Sequence, residues 1–200
     1  KLIPTFRDAD IGIITDVSSV KSPIMEVAAG MRNFIGGHPM AGSEGSGYIA
    51  ADASLFRNAM YILCIGDDCT LPGEAVESFK KLISAIGATT STMEPDLHDC
   101  RMAIISHLPH VAAFALASMV EGSHDSAMRS LIGGGFRDTT RIAASSPELW
   151  TDIFLSSSHL PDAIEEYIAK LQRVRGWILE NDPAKLRAAL AASSEFRASI

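Results

Sequence analysis

The chain has 200 residues, 47% of them apolar and 20% charged, with a formal net charge of −7. This is the composition of a globular protein able to bury a sizeable core, and it excludes a disordered or fibrous chain. The acidic balance argues against nucleic acid as the main partner.

The first elements alternate. Ile11–Thr15 is a short β-branched run that reads as a buried parallel strand ending at Asp16. A helical stretch follows from about Val20 to Met31, which Ser18 or Ser19 could cap. Phe34–Gly37 gives a second strand running into His38, and Met60–Ile65 a third. Pro72–Ile86 has helical spacing, with a proline suited to a first turn and Gly87 as its stop. Ala88–Met93 is a fourth, threonine-rich strand. Strands alternating with helices predict an α/β layer with a parallel sheet.

Beyond Glu94–Pro95 the strand pattern ends. Asp96–Glu121 reads as one long helix with a kink at Pro109. Its apolar part, Met102–Val120, is broken by Ser106, His107, Pro109 and His110, so no membrane span is expected. Ser146–Pro147–Glu148 is a helix start, and Leu160–Leu179 and Pro183–Ala192 read as two amphipathic helices, the second capped by Asn181 or Asp182. The change from α/β to all-α falls near residue 94.

Other features bound the chemistry. Cys64, Cys69 and Cys100 form no C-x-x-C pair, so they are expected as small apolar residues in a reducing cytoplasm, without disulfides or zinc. No basic-then-apolar signal peptide is read at the start. A dinucleotide-binding sheet carries G-x-G-x-x-G after its first strand, and no such turn is present. Gly42, Gly45 and Gly47 follow a strand at the wrong spacing for one.

His38 ends a predicted strand, where α/β enzymes place their sites, and Pro39 holds it extended. A neutral imidazole there can take a proton, or merely bond a loop. The Ser18 and Ser19 hydroxyls could instead orient that imidazole or a cofactor amide, and Lys21 could add a positive charge to the cleft. His107 and His110 share a helix face, but no companion ligand makes a convincing metal site. Gly133–Gly135 precede Arg137 and Arg141, four residues apart; two guanidinium forks suit a dicarboxylate, unless the helix is simply solvated with Asp138 pairing one arginine.

Four segments then combine: D-V-S-S-V-K from Asp16, G-G-H-P-M-A-G from Gly36, L-H-D from Leu97 with S-H-L-P-H from Ser106, and G-G-G-F-R-D-T-T-R-I-A-A-S-S-P-E-L-W-T-D-I from Gly133. In that order they resemble the prephenate and arogenate dehydrogenase family. The resemblance implies the C-terminal half of a Rossmann-like parallel sheet over residues 1–93, without its phosphate-binding turn. An all-helical substrate-binding and dimerisation domain over 94–200 would follow. It implies hydride transfer from a cyclohexadienol to NAD or NADP with loss of the ring carboxylate as CO₂, on the cytoplasmic route to tyrosine. His38 would be the base, with Ser19 orienting it and lying near the nicotinamide. Asp16, Ser18, Ser19 and Pro39 would touch the cofactor. Arg141 would bind a substrate carboxylate, and His110, Arg137, Trp150 and His107 would line or adjoin the pocket. Gly134 would approach the partner's site in a homodimer. His98 matches a family position near the pocket without a defined role.

Prephenate is the first expected substrate, with His110 favouring its keto group. Arogenate is the alternative. A dimeric binding module without cofactor, inactive by itself, is the third reading, since a sheet lacking its phosphate turn should hold the cofactor poorly.

Overall fold

A computed structural model describes residues 2–7, 11–42, 47–123 and 125–200. Gly45 of the glycine run lies outside them. By contact the chain forms two compact units, Lys1–Leu160 and Pro161–Ile200.

The first unit opens on a four-stranded sheet in the order β1 (Ile14–Thr15), β2 (Phe34–Pro39), β3 (Met60–Cys64), β4 (Thr89–Thr92). All six residues of β2 are buried, as an apolar strand covered on both faces should be. β1 and β2 run parallel, and so do β3 and β4, but β2 pairs antiparallel with β3. This corrects the expectation of a wholly parallel sheet. A parallel return needs a crossover, usually a helix, and the described residues between β2 and β3 hold only the short 3₁₀ turn Tyr48–Ala50. The missing helical pattern between His38 and Met60 was the sequence signal for it.

Helix α1 (Ser22–Val27) follows β1, and α2 (Gly73–Ala85) follows β3. Past the end of α2 the chain turns at Gly87, whose φ of +92° favours a residue without a Cβ. Its Ile83 packs with Ile35, Tyr61, Leu63 and Ala88 as the core on that side of the sheet. Burying an aliphatic side chain of this kind stabilises by about 1.5–3 kcal/mol.

After β4 the described chain is helical. The run Pro95–Glu121 comprises α3 (Pro95–Met102), one π-helical turn (Ala103–His107) and α4 (Leu108–Glu121). Pro109 lies in the first turn of α4, where its missing N–H does least harm. The run is long and apolar enough to cross a membrane by length and composition, contrary to the reading of its sequence. Yet its His98, Asp99 and His107 are buried in the first unit, as polar groups of a protein interior. The short helices α5 (Ser126–Ser130) and α6 (Gly134–Thr140) precede α7 (Pro147–Ser156), whose Ser146 cap accepts the Leu149 N–H at 3.3 Å. α8 (Leu160–Leu179) and α9 (Pro183–Ala198) make up most of the second unit, and Asp182 caps α9 by accepting Lys185 N–H at 3.0 Å.

Candidate active site

His38 lies inside β2, paired with Ile62 of β3. The residue before it must be glycine: a Cβ on Gly37 would stand 2.5 Å from the Asp16 carbonyl oxygen. That close approach holds the ends of β1 and β2 together. A buried clamp reinforces it. Asp16 accepts from the backbone N–H of Ser18 and of Gly37, each at 2.9 Å, and from the Lys21 ammonium. Lys21, fully buried, also donates to Gly37 O at 2.6 Å. Burial pulls the ammonium below its ordinary pKa, against the Asp16 carboxylate, which holds it up. Lys21 is thus a structural tie, not the cleft cation expected from the sequence. Asp16, expected at the cofactor, has its carboxylate engaged in the same tie.

Neither Ser18 nor Ser19 caps α1. Asp99 does so from α3, accepting Lys21 N–H and Ser22 N–H at 2.7 Å each. The same carboxylate lies 2.7 Å from Nδ1 of His98, and His98 Nε2 lies 2.7 Å from Nδ1 of His38. His98 and Asp99 are at most 1% exposed. His38 is therefore tied at Nδ1 to His98, while Ser19 lines the same cavity as the His38 ring. Burial acts to raise the Asp99 carboxyl, but the bonds from His98 and from two backbone N–H groups outweigh it, down to about 2. Burial, then the neighbouring His98, Lys21 and His107, push His38 down to about 3.

One cavity of about 560 Å³ gathers Ser19, His38, Pro39, His110, Arg141 and Trp150. Trp150 is stacked on His110, with centroids 3.4 Å apart and planes 20° from parallel. His110 donates Nδ1–H to the Ser106 carbonyl at 2.9 Å, and burial lowers its pKa. A second cavity of about 470 Å³, lined by Val17, Ser18 and Ile24, shares Ser19, Leu149 and Ile153 with the first.

Other expected residues stand elsewhere. His107 is fully buried behind the cavity, 2.8 Å from Ser157 Oγ, and its Nε2 has no hydrogen-bond partner. Burial pushes it down to about 4. Arg137 and Gly134 are exposed on α6 and do not line the cavity. Arg141 lines the cavity and Arg137 does not, so the two guanidinium groups are not gathered in that one pocket.

The π turn sets the angular relation within this group. At about 100° per residue, His98 and His110 would stand about 120° apart on an unbroken α-helix. A π turn absorbs one extra residue, which brings them to within about 20°. Sequence reasoning gave His98 and Asp99 no role. The available signal was a His-Asp pair next to a long apolar helical run, a position where a charged group needs a partner.

Comparison with known proteins places this arrangement. Residues 3–92 match the family model "Prephenate dehydrogenase, nucleotide-binding domain" and residues 94–192 match "Prephenate dehydrogenase, dimerization domain". A Bacillus subtilis prephenate dehydrogenase is 37% identical over 195 residues, 92% of this chain and 51% of that protein. The chain therefore spans about half the length of this curated relative. The crystal structure of Aquifex aeolicus prephenate dehydrogenase in complex with hydroxyphenyl propionate and NAD+ aligns over 98% of this chain and 73% of that one, at 29% identity and a TM-score of 0.87. Synechocystis arogenate dehydrogenase aligns over 94% and 69%, at 30% identity and a TM-score of 0.80.

Proposed function

This chain belongs to the prephenate dehydrogenase family, and we propose that its cavity serves the NAD(P)-dependent oxidative decarboxylation of prephenate to 4-hydroxyphenylpyruvate, a step toward tyrosine. The observation that carries the reading is the single cavity joining His38, Ser19, Arg141, His110 and Trp150. An imidazole kept neutral by burial accepts the proton of the ring hydroxyl. A weak base suffices, because that oxygen becomes a carbonyl as its proton leaves. Arg141 holds a substrate carboxylate, and the Trp150–His110 stack forms a flat wall for the ring.

The residues present fit the nicotinamide end of the cofactor. Ser18 and Ser19 offer hydroxyls to a carboxamide beside the apolar Val17 and Ile24, in a cavity that adjoins the substrate's. When bound, the nicotinamide supplies the hydride acceptor. Pro39 lines the His38 cavity and bounds the substrate side. The reading includes a cytoplasmic location and a homodimer through the helical region, which the dimerization-domain model covers. In that dimer Gly134 and Arg137, exposed here, would face the partner's site.

Arogenate is the second reading, and one contact favours it. His110 spends its Nδ1–H on Ser106 O, which leaves Nε2 as an acceptor for an ammonium and a poor partner for a keto oxygen. Reduced-nicotinamide absorbance with each substrate, and with NAD+ and NADP+ in turn, tests both. Turnover of prephenate supports the first reading. Turnover of arogenate alone moves the assignment to the second, and no turnover of either by the intact enzyme refutes both.

A further inference from the structure

We propose that His98 and Asp99 form a proton relay behind His38, fixing its tautomer and taking up its charge during turnover. The proposal rests on His38 being the base of the reaction above. The direction of the relay follows from what each atom can do. The Asp99 carboxylate is an acceptor only, and two backbone N–H groups at 2.7 Å pin it in place. Nδ1 of His98, at 2.7 Å, must therefore donate to it. A neutral His98 then presents a lone pair at Nε2, so the His38 Nδ1 at 2.7 Å must donate in turn. The lone pair of His38 is left on Nε2, the nitrogen a base needs free.

The proton count closes within the chain. When the ring-hydroxyl proton reaches His38 Nε2, the His38 Nδ1 proton passes to His98 Nε2. His98 keeps its Nδ1 proton, and the positive charge comes to rest between His98 and the Asp99 carboxylate. After hydride transfer and loss of CO₂ the product oxygen is a phenolate; it takes the Nε2 proton of His38 back as the Nδ1 proton returns from His98, and the base is restored before product leaves.

The surroundings explain why such an outlet is needed. A cation left on His38 would face the Lys21 ammonium and the His98 and His107 rings, in a site that also holds Arg141. Asp16, the nearby carboxylate that could offset it, is engaged by Lys21. Asp99 is reached only through His98. The arrangement parallels the general rule that a buried carboxylate sets the tautomer of a working histidine. His98 and Asp99 are in that sense positioning residues, and Asp99 caps α1 with the same oxygens.

Two measurements test the relay. Long-range ¹H–¹⁵N correlation on the histidine-labelled chain at neutral pH reports which His38 nitrogen carries the proton. Nδ1–H is expected, and an Nε2–H tautomer overturns the proposal. This needs neither substrate, cofactor nor variant, so it decides the relay separately from the assigned reaction. In the intact enzyme, Asp99→Asn and His98→Gln should each lower kcat by about 10²- to 10⁴-fold with KM within threefold. An unchanged kcat, or a loss confined to KM, overturns it, because a purely structural cap would not act on kcat alone.

Discussion

Folding this chain requires two histidines to be carried uncharged into the interior, which makes it acid-sensitive. His38 is held at about 3 and His107 at about 4, against an ordinary value near 6.5. Below pH 6.5 the unfolded chain takes up protons that the folded chain refuses. Stability is therefore fully present above about pH 6.5 and drains as pH falls toward the folded values. Between pH 7 and pH 5 each histidine removes about 2 kcal/mol, together about 4 kcal/mol, a large share of a typical domain's stability. Asp99 adds nothing in this window, since its carboxyl titrates between about 4 and about 2. Urea unfolding followed by circular dichroism at the two pH values measures the loss. His38→Asn should remove about 2 kcal/mol of that loss even as it removes the base. Equal midpoints at pH 7 and pH 5, or an undiminished drop in the variant, would refute the reasoning.

Three further outcomes are expected. His38→Asn in the intact enzyme should cut kcat by about 10²- to 10⁴-fold at neutral pH, and an unchanged rate removes His38 from its role. Arg141→Ala should raise the substrate KM by about 10- to 150-fold, the loss of a charged hydrogen bond of roughly 1.5–3 kcal/mol; a normal KM contradicts the assignment. Lys21→Met strands the Asp16 carboxylate, whose side chain is only 10% exposed, at a cost of about 3–5 kcal/mol. In a protein of this size that lowers Tm by about 10 °C, and a scanning calorimetry shift under 2 °C would mean the tie is not structural.

Much of the site was legible because it sits where periodicity changes. The apolar run Phe34–Gly37 ends on His38, and the strand does carry that residue into the core. Trp150 and Arg141 were found by their segment, and both line the cavity. What could not be read was pairing at a distance. The antiparallel β2–β3 contact depends on a connection that lacks a helix, which a strand-by-strand reading passes over. Lys21 looked like a cleft cation because its sequence neighbours show neither its burial nor Asp16 folding back on it. Asp99 had no visible task because its partners lie 77 and 78 residues upstream. Arg137 and Arg141 looked paired by their spacing of four, yet only Arg141 lines the cavity, which spacing along a helix does not show.

The π turn at Ala103–His107 gives this helix one residue of slack. The surplus is already absorbed, so the phase between His98 and His110 is the one a regular ladder shorter by a residue would give. Losing a single residue within the turn would restore that ladder and leave the two histidines within about 20° of each other. Losing a second would have no bulge to draw on, and would swing everything downstream by about 100°. His110 and the rest of α4 would then fall out of phase with His98 and Asp99. The turn is a seam where the helix can be shortened once without parting its histidines.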